Sequence, residues 1–168
     1  MTRMNLKRIL RHLAYPDWMV RRTFPARVQR RIEEAVRGSE RRHRGELKFA
    51  LEDGLGLFPL LRGVTARQRA IELFSLLRVW DTEENSGVLI YLQLVDRDIE
   101  IVCDRGIDSR VGRERWDAIC RRMEQAFRAR RFEEGVLDGI EEITQLLAKH
   151  FPARRDNPDE LPDRPVVL

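Results

Sequence analysis

The sequence predicts an α/β domain: a three-layer α/β/α sandwich around a small mixed sheet, in the order α-β-α-β-β-α-α. Two periodicities and their alternation carry that expectation. Apolar residues recur at spacings of three and four over several long stretches, which marks amphipathic helices. Between them lie short runs that alternate or are wholly apolar, which marks strands. Strands interleaved with helices give a sheet covered by helices. At 168 residues the chain can bury one full core.

The elements follow in order. Residues 1–25 read as a basic arm with a short helix. In "NLKRILRHLAY", Leu6, Ile9, Leu10 and Leu13 share helical spacing, and Pro16 closes the segment. Such a helix either docks on its own domain or lies on a membrane surface. Pro25 opens the first helix of the domain proper, residues 26–152. Val28, Ile32, Ala35, Val36 and Ser39 form its stripe, His43 continues it, and Gly45 ends it. "ELKFALE", residues 46–52, alternates Leu47, Phe49 and Leu51 with Glu46, Lys48 and Ala50, as a strand does. "GLGLFPLLRGV" reads as a Gly- and Pro-punctuated loop. Thr65 is placed to cap a second helix whose stripe is Ala66, Ala70, Leu73, Phe74 and Leu77.

The apolar run in "VLIYLQLV" predicts a strand buried on both faces. Asp96-Arg97-Asp98 turns the chain, and Ile99 to Cys103 return as an antiparallel partner. "DRGIDSRVG" reads as polar loop. Two helices follow, one on Trp116, Ile119, Cys120, Met123 and Phe127, the other from Phe132 on Val136, Ile140, Ile143, Leu146 and Leu147. Residues 153–168 are Pro-rich and are expected to be disordered.

Composition excludes several classes. No apolar run approaches the roughly 20 residues a membrane-spanning helix needs, and the start lacks a secretory h-region, so a cytoplasmic location is expected. Cys103 and Cys120 belong to no CxxC pair and read as free thiols. The net charge of +4 conceals an asymmetry. Residues 1–45 hold 13 Arg/Lys against 4 Asp/Glu, whereas residues 46–168 hold 19 against 24. A basic leading segment can contact an anionic surface or partner. Its arginines are not interleaved with aromatic residues, so no specific nucleic-acid motif is present.

Topology gathers the polar residues. If the first two strands are parallel across a helical crossover and the second and third form a hairpin, three clusters share one sheet edge. They are Ser39, Glu40, His43 and Glu46; Asp81 to Asn85; and Asp104, Arg105 and Asp108. Several carboxylates held together with amide oxygens suit a hard cation, Ca²⁺ or Mg²⁺. The expected metal ligands are Glu46, Asp81 and Asp104, with Glu40, His43, Asn85, Arg105 and Asp108 as further candidates at that edge. Each has a plainer role open to it: Glu46 as a partner of Arg42 or Arg44, His43 and Asp104 as helix-end or turn residues. There is no EF-hand spacing, HExxH, Walker A loop or GxSxG.

The segments "AVRGSERRHRGELKFALE", "RAIELFSLLRVWDTEENSGVLIYLQLVDRDIEIVCDRGI" and "FRARRFEEGVLDGIEEITQLLAKHFP" resemble, in the same order, the TPM-domain family over roughly residues 28–151. The chain is most similar to short bacterial members of that family. The resemblance implies an α/β/α sandwich, calcium binding in some members, and an acid phosphatase activity proposed for a plant member. By resemblance, the matched positions are Glu40, His43, Glu46, Asp81, Asn85, Asp104 and Arg105. Three functional readings follow: a cation-binding, protein-interaction module; a metal-assisted phosphatase in which Arg105 meets the phosphate and His43 or Glu46 acts as acid or base; and a structural domain with an incidental acidic edge.

Overall fold

Two strands wholly enclosed by protein set the architecture. In a computed structural model, which describes residues 6–154 and 161–168, β1 (Glu46–Glu52) and β2 (Gly87–Gln93) are buried at every position. They pair in parallel from Glu46↔Gly87 to Glu52↔Gln93, as a helical crossover requires. β3 (Asp98–Cys103) returns antiparallel to β2, from Gln93↔Asp98 to Val88↔Cys103.

The helices are α1 (Leu6–Leu13), α2 (Asp17–Thr23), α3 (Ala26–Glu40), α4 (Leu57–Leu61), α5 (Ala66–Leu76), α6 (Arg105–Val111), α7 (Arg113–Arg128) and α8 (Phe132–His150). Leu47, Phe49 and Leu51 of β1 join the larger core with Ile32 and Val36 of α3, Ile119 and Phe127 of α7, and Ile140 and Leu147 of α8. On the opposite face Ala50, Leu89 and Tyr91 pack against Ala70, Leu73 and Phe74 of α5. The expected α/β/α sandwich is present. Thr65 caps α5 and forms a full capping box with Gln68.

Three segments differ from their sequence reading. The "GLGLFPLLRGV" loop contains α4; Pro59 falls in its first turn, where a missing N–H is harmless. "DRGIDSRVG" contains α6, whose N-cap is Asp104. The largest difference lies in the tail expected to be disordered. Residues 155–160 lie outside the described part, but 161–168 return to the sheet, and β4 (Val166–Val167) pairs in parallel with β1 through Ala50↔Val166 and Leu51↔Val167. The sheet order is therefore β3-β2-β1-β4. Without the tail, β1 would present an open edge of unpaired backbone groups. It would also expose the polar side chains of its second face. Instead Lys48 Nζ donates to the carbonyls of Pro162 and Arg164, the latter at 3.2 Å, and Leu161 N–H donates to Glu46 Oε2 at 3.1 Å. Farther along the same face, Glu52 takes Tyr91 O–H at 2.5 Å and Arg69 Nη2 at 2.7 Å.

Within the basic arm, α1 docks on the domain. His12 is buried, its Nδ1 accepts Leu55 N–H at 3.0 Å, and its Nε2 lies 3.0 Å from Asp96 Oδ2. An Nδ1 that accepts fixes the proton on Nε2, so the ring is neutral and donates to Asp96; burial, the largest influence, likewise holds its pKa below the ordinary value. Arg8 Nε also reaches Asp96, at 2.8 Å. Among the described residues no helix is long and apolar enough to cross a membrane. Cys103 and Cys120 are free thiols.

Candidate functional site

The parallel register of β1 and β2 brings the starts of both strands and the end of β3 to one edge, as the topology argument requires. The three expected clusters do not meet there as one site. Among the described residues, no group of three or more His, Cys, Asp or Glu side chains is placed to hold a metal ion.

The first cluster turns inward. Ser39, on the buried stripe of α3, lies 2.7 Å from His43 Nε2 and 2.6 Å from Thr144 Oγ1, and Thr144 donates to the Ile140 carbonyl at 2.6 Å. This polar chain ties the end of α3 to α8. His43 is fully enclosed, and burial brings its pKa down to about 4 despite a hydrogen bond with the Gly45 backbone, so its ring is neutral at pH 7. Arg42 does not face Glu46. It forms a two-pronged pair with Glu141 at 2.7 and 3.1 Å, while Arg44 reaches Glu84 and the Pro152 carbonyl.

Glu40 and Glu46 instead form a buried acidic group with Asp163 of the tail, a residue the sequence reading did not single out. Glu40 Oε1 accepts Leu47 N–H at 3.4 Å. Its carboxyl is also hydrogen-bonded to Asp163. Burial first, then that bond and the charges of Glu46 and Asp163, push its pKa up to about 10. Glu40 therefore keeps its proton at neutral pH and donates it to Asp163. Asp163 Oδ2 also takes Arg37 Nε at 3.0 Å. The apolar "VVL" that closes the tail is a local hint of it, too short to mark a strand.

The second and third clusters do adjoin. Asp81 is exposed and pairs with Arg78. Asn85 is exposed in a left-handed conformation, φ 52°, and its carbonyl accepts Ile107 N–H at 3.2 Å. Gly106 lets the loop lie directly on α6, since a Cβ there would stand 2.4 Å from the Asn85 carbonyl and 2.7 Å from that of Glu84. Asp104 N–H donates to Gly87 O at 2.8 Å, and Asp104 Oδ1 caps Arg105 N–H at 2.7 Å. Arg105 and Asp108 are exposed on the first turn of α6. Two enclosed oxygens remain: Asp104 Oδ2 and Ser86 Oγ have no hydrogen-bond partner among the described residues. Buried polar atoms of this kind are uncommon.

The layered fold and the loop edge place the protein among α/β sandwiches with a divided polar rim. The TPM domain model matches residues 21–146, and the chain belongs to the TPM-domain family. It is similar to the BA42 protein of the psychrophilic bacterium Bizionia argentinensis, solved by NMR, with 31% identity and a TM-score of 0.75 over 85% of this chain and 94% of that one. It also shares its fold with the N-terminal domain of a protein from P. gingivalis, at 18% identity and a TM-score of 0.63 over 77% and 82% of the two chains. No curated protein matches the chain.

Proposed function

We propose that this TPM domain binds a divalent cation, Ca²⁺ or Mg²⁺, at the edge where the 81–86 loop adjoins Asp104, and presents that edge to a protein partner. The observation that carries the reading is the unsatisfied Asp104 Oδ2, with the enclosed Ser86 Oγ on the neighbouring strand end. Leaving a carboxylate oxygen without a donor is unfavourable, and a cation would offset it. The available donors are all oxygens: Asp104, Ser86, the loop carbonyls and, after release from Arg78, Asp81. An all-oxygen set suits a hard cation rather than zinc. Glu46, occupied by Leu161, stands apart from this set.

The test is a titration of Ca²⁺ and Mg²⁺ followed by amide shifts and melting temperature, on wild type and Asp104→Asn. Asparagine keeps the helix cap and removes the charge. Ion binding to the folded chain raises the melting temperature, by about 2.7 kcal/mol of stability at a hundredfold excess over Kd. No response to several-millimolar amounts of either ion, or an equal response in Asp104→Asn, sinks the proposal. The phosphatase reading has less support, because both of its acid-base candidates are enclosed: His43 is neutral, and Glu46 accepts Leu161 N–H. Release of phosphate from an aryl phosphate, with and without each ion, that Asp104→Asn abolishes would revive it.

A further inference from the structure

The end of the sheet opposite the Asp104 edge carries a second unassigned surface. Leu6, Leu10 and Leu13 recur at i, i+4 and i+7 and line one face of α1, beside the face that buries Ile9 and His12. α1 meets α4 through Ile9, Leu55 and Leu60. α4 in turn turns outward Leu57, Leu61 and Phe58, the last 76% exposed. Trp18, on the next helix, is 58% exposed. Seven large apolar side chains thus stand in water on three short neighbouring helices, a concentration unlike the single exposed residues of an ordinary surface. α1 is not loose. The His12–Asp96 and Arg8–Asp96 bonds and the Leu55–His12 bond fix α1, so its leucines are held outward.

The charge around this surface is mainly positive, with Asp96 paired to Arg8 and Arg11. Residues 6–24 hold Lys7, Arg8, Arg11, Arg21 and Arg22 against one acid, Asp17, and the α4 segment adds Arg62. A groove beside it, lined by Trp18 and Phe132, mixes Arg97 and Arg130 with Glu133 and Asp138. Leucine and aromatic side chains rimmed by cations match the boundary of an anionic bilayer, where aromatic rings sit at headgroup depth and guanidinium groups pair with phosphates. A second copy of the chain fits less well. A symmetric dimer through this patch would set like-charged rims against each other.

We propose that α1, Trp18 of α2 and α4 form a docking platform for anionic phospholipid bilayers, with Leu6, Leu10, Trp18 and Phe58 inserted shallowly and the flanking arginines on lipid phosphates. The platform is independent of the cation reading. Flotation of the full chain with vesicles of phosphatidylglycerol in phosphatidylcholine, and of phosphatidylcholine alone, tests it. The wild type should float with the anionic vesicles, float poorly with the neutral ones, and be released by salt. Leu10→Gln and Phe58→Gln each remove an exposed apolar group and should each weaken binding roughly tenfold, a change equal to about 1.4 kcal/mol. Circular dichroism checks that each variant is folded, and either one alone suffices for the comparison. Three results overturn the proposal: wild type left unbound by anionic vesicles at low salt, folded variants that bind as wild type does, or self-association without vesicle binding that the same substitutions abolish.

Discussion

Glu40→Gln is expected to make the protein more stable at neutral and alkaline pH, and the size of the effect follows from the proton it removes. In the folded chain the Glu40 carboxyl is pushed up to about 10 from an ordinary 4.5. Between those values the folded state holds a proton that the unfolded state releases, so stability falls as pH rises. Its contribution is complete below about 4.5 and is lost progressively toward 10. Each pH unit costs up to about 1.4 kcal/mol, so the ceiling between pH 5 and pH 8 is on the order of 4 kcal/mol. Release of the tail would rehydrate Glu40 and cap the loss below that ceiling. Glutamine keeps both contacts without titrating: its carbonyl can accept Leu47 N–H, and its amide can donate to the Asp163 carboxylate. Urea denaturation of both proteins at pH 5, 6.5 and 8 reads the difference. The two should be within about 0.5 kcal/mol at pH 5, and the variant ahead by roughly 2–4 kcal/mol at pH 8. Subtracting the two curves cancels the titrating groups that do not interact with Glu40 and leaves the Glu40–Glu46–Asp163 group as the source of the difference. Parallel curves would refute the assignment of the proton to Glu40.

Arg69→Met should cost about 3–5 kcal/mol in denaturant unfolding, because it leaves the buried Glu52 with only Tyr91; adding Glu52→Leu should recover most of that loss, and no recovery would mean packing rather than charge is responsible. Gly87→Ala should prevent stable folding, since its Cβ would stand 1.9 Å from the Val79 carbonyl. Gly38→Ala on open space in α3 should instead gain about 0.5–1 kcal/mol; similar melting temperatures for the two alanine variants would contradict the backbone approach at Gly87.

Helix and strand identity was legible because burial imposes period. The stripe from Val28 to Ser39 and the unbroken run in "VLIYLQLV" each leave one reading. The shared edge was legible too, since a helix between two strands makes them parallel. What the pattern hides is the direction a polar strand residue takes. Glu46, Lys48 and Glu52 alternate with apolar residues just as a solvent-facing row would. Glu52 is buried against Arg69 and Tyr91; Glu46 and Lys48 are buried because a segment over a hundred residues away covers them, and that segment, with three prolines in its last eleven residues, has no local pattern strong enough to announce a strand. α6 escaped for a related reason: seven residues with one buried side chain, Ile107, carry almost no period.

The division of the acidic edge constrains where a cation can act. Carboxylates crowded in low dielectric need a proton, a basic partner or a metal. In the Glu40–Glu46–Asp163 group the first two are supplied, by the Glu40 proton, Arg37 and the Leu161 amide. An ion entering there would have to expel that proton and break the Leu161–Glu46 bond, which would disturb β4. At Asp104 nothing comparable stands in the way. The amide spectrum therefore distinguishes the two positions in one titration. Binding at the loop edge moves signals of residues 82–87 and 104–107 and leaves 161–168 in place, whereas binding through Glu46 moves the tail first and releases a proton that a pH-stat can count. A response confined to the tail would transfer the cation reading from Asp104 to the carboxylates that the strand start conceals.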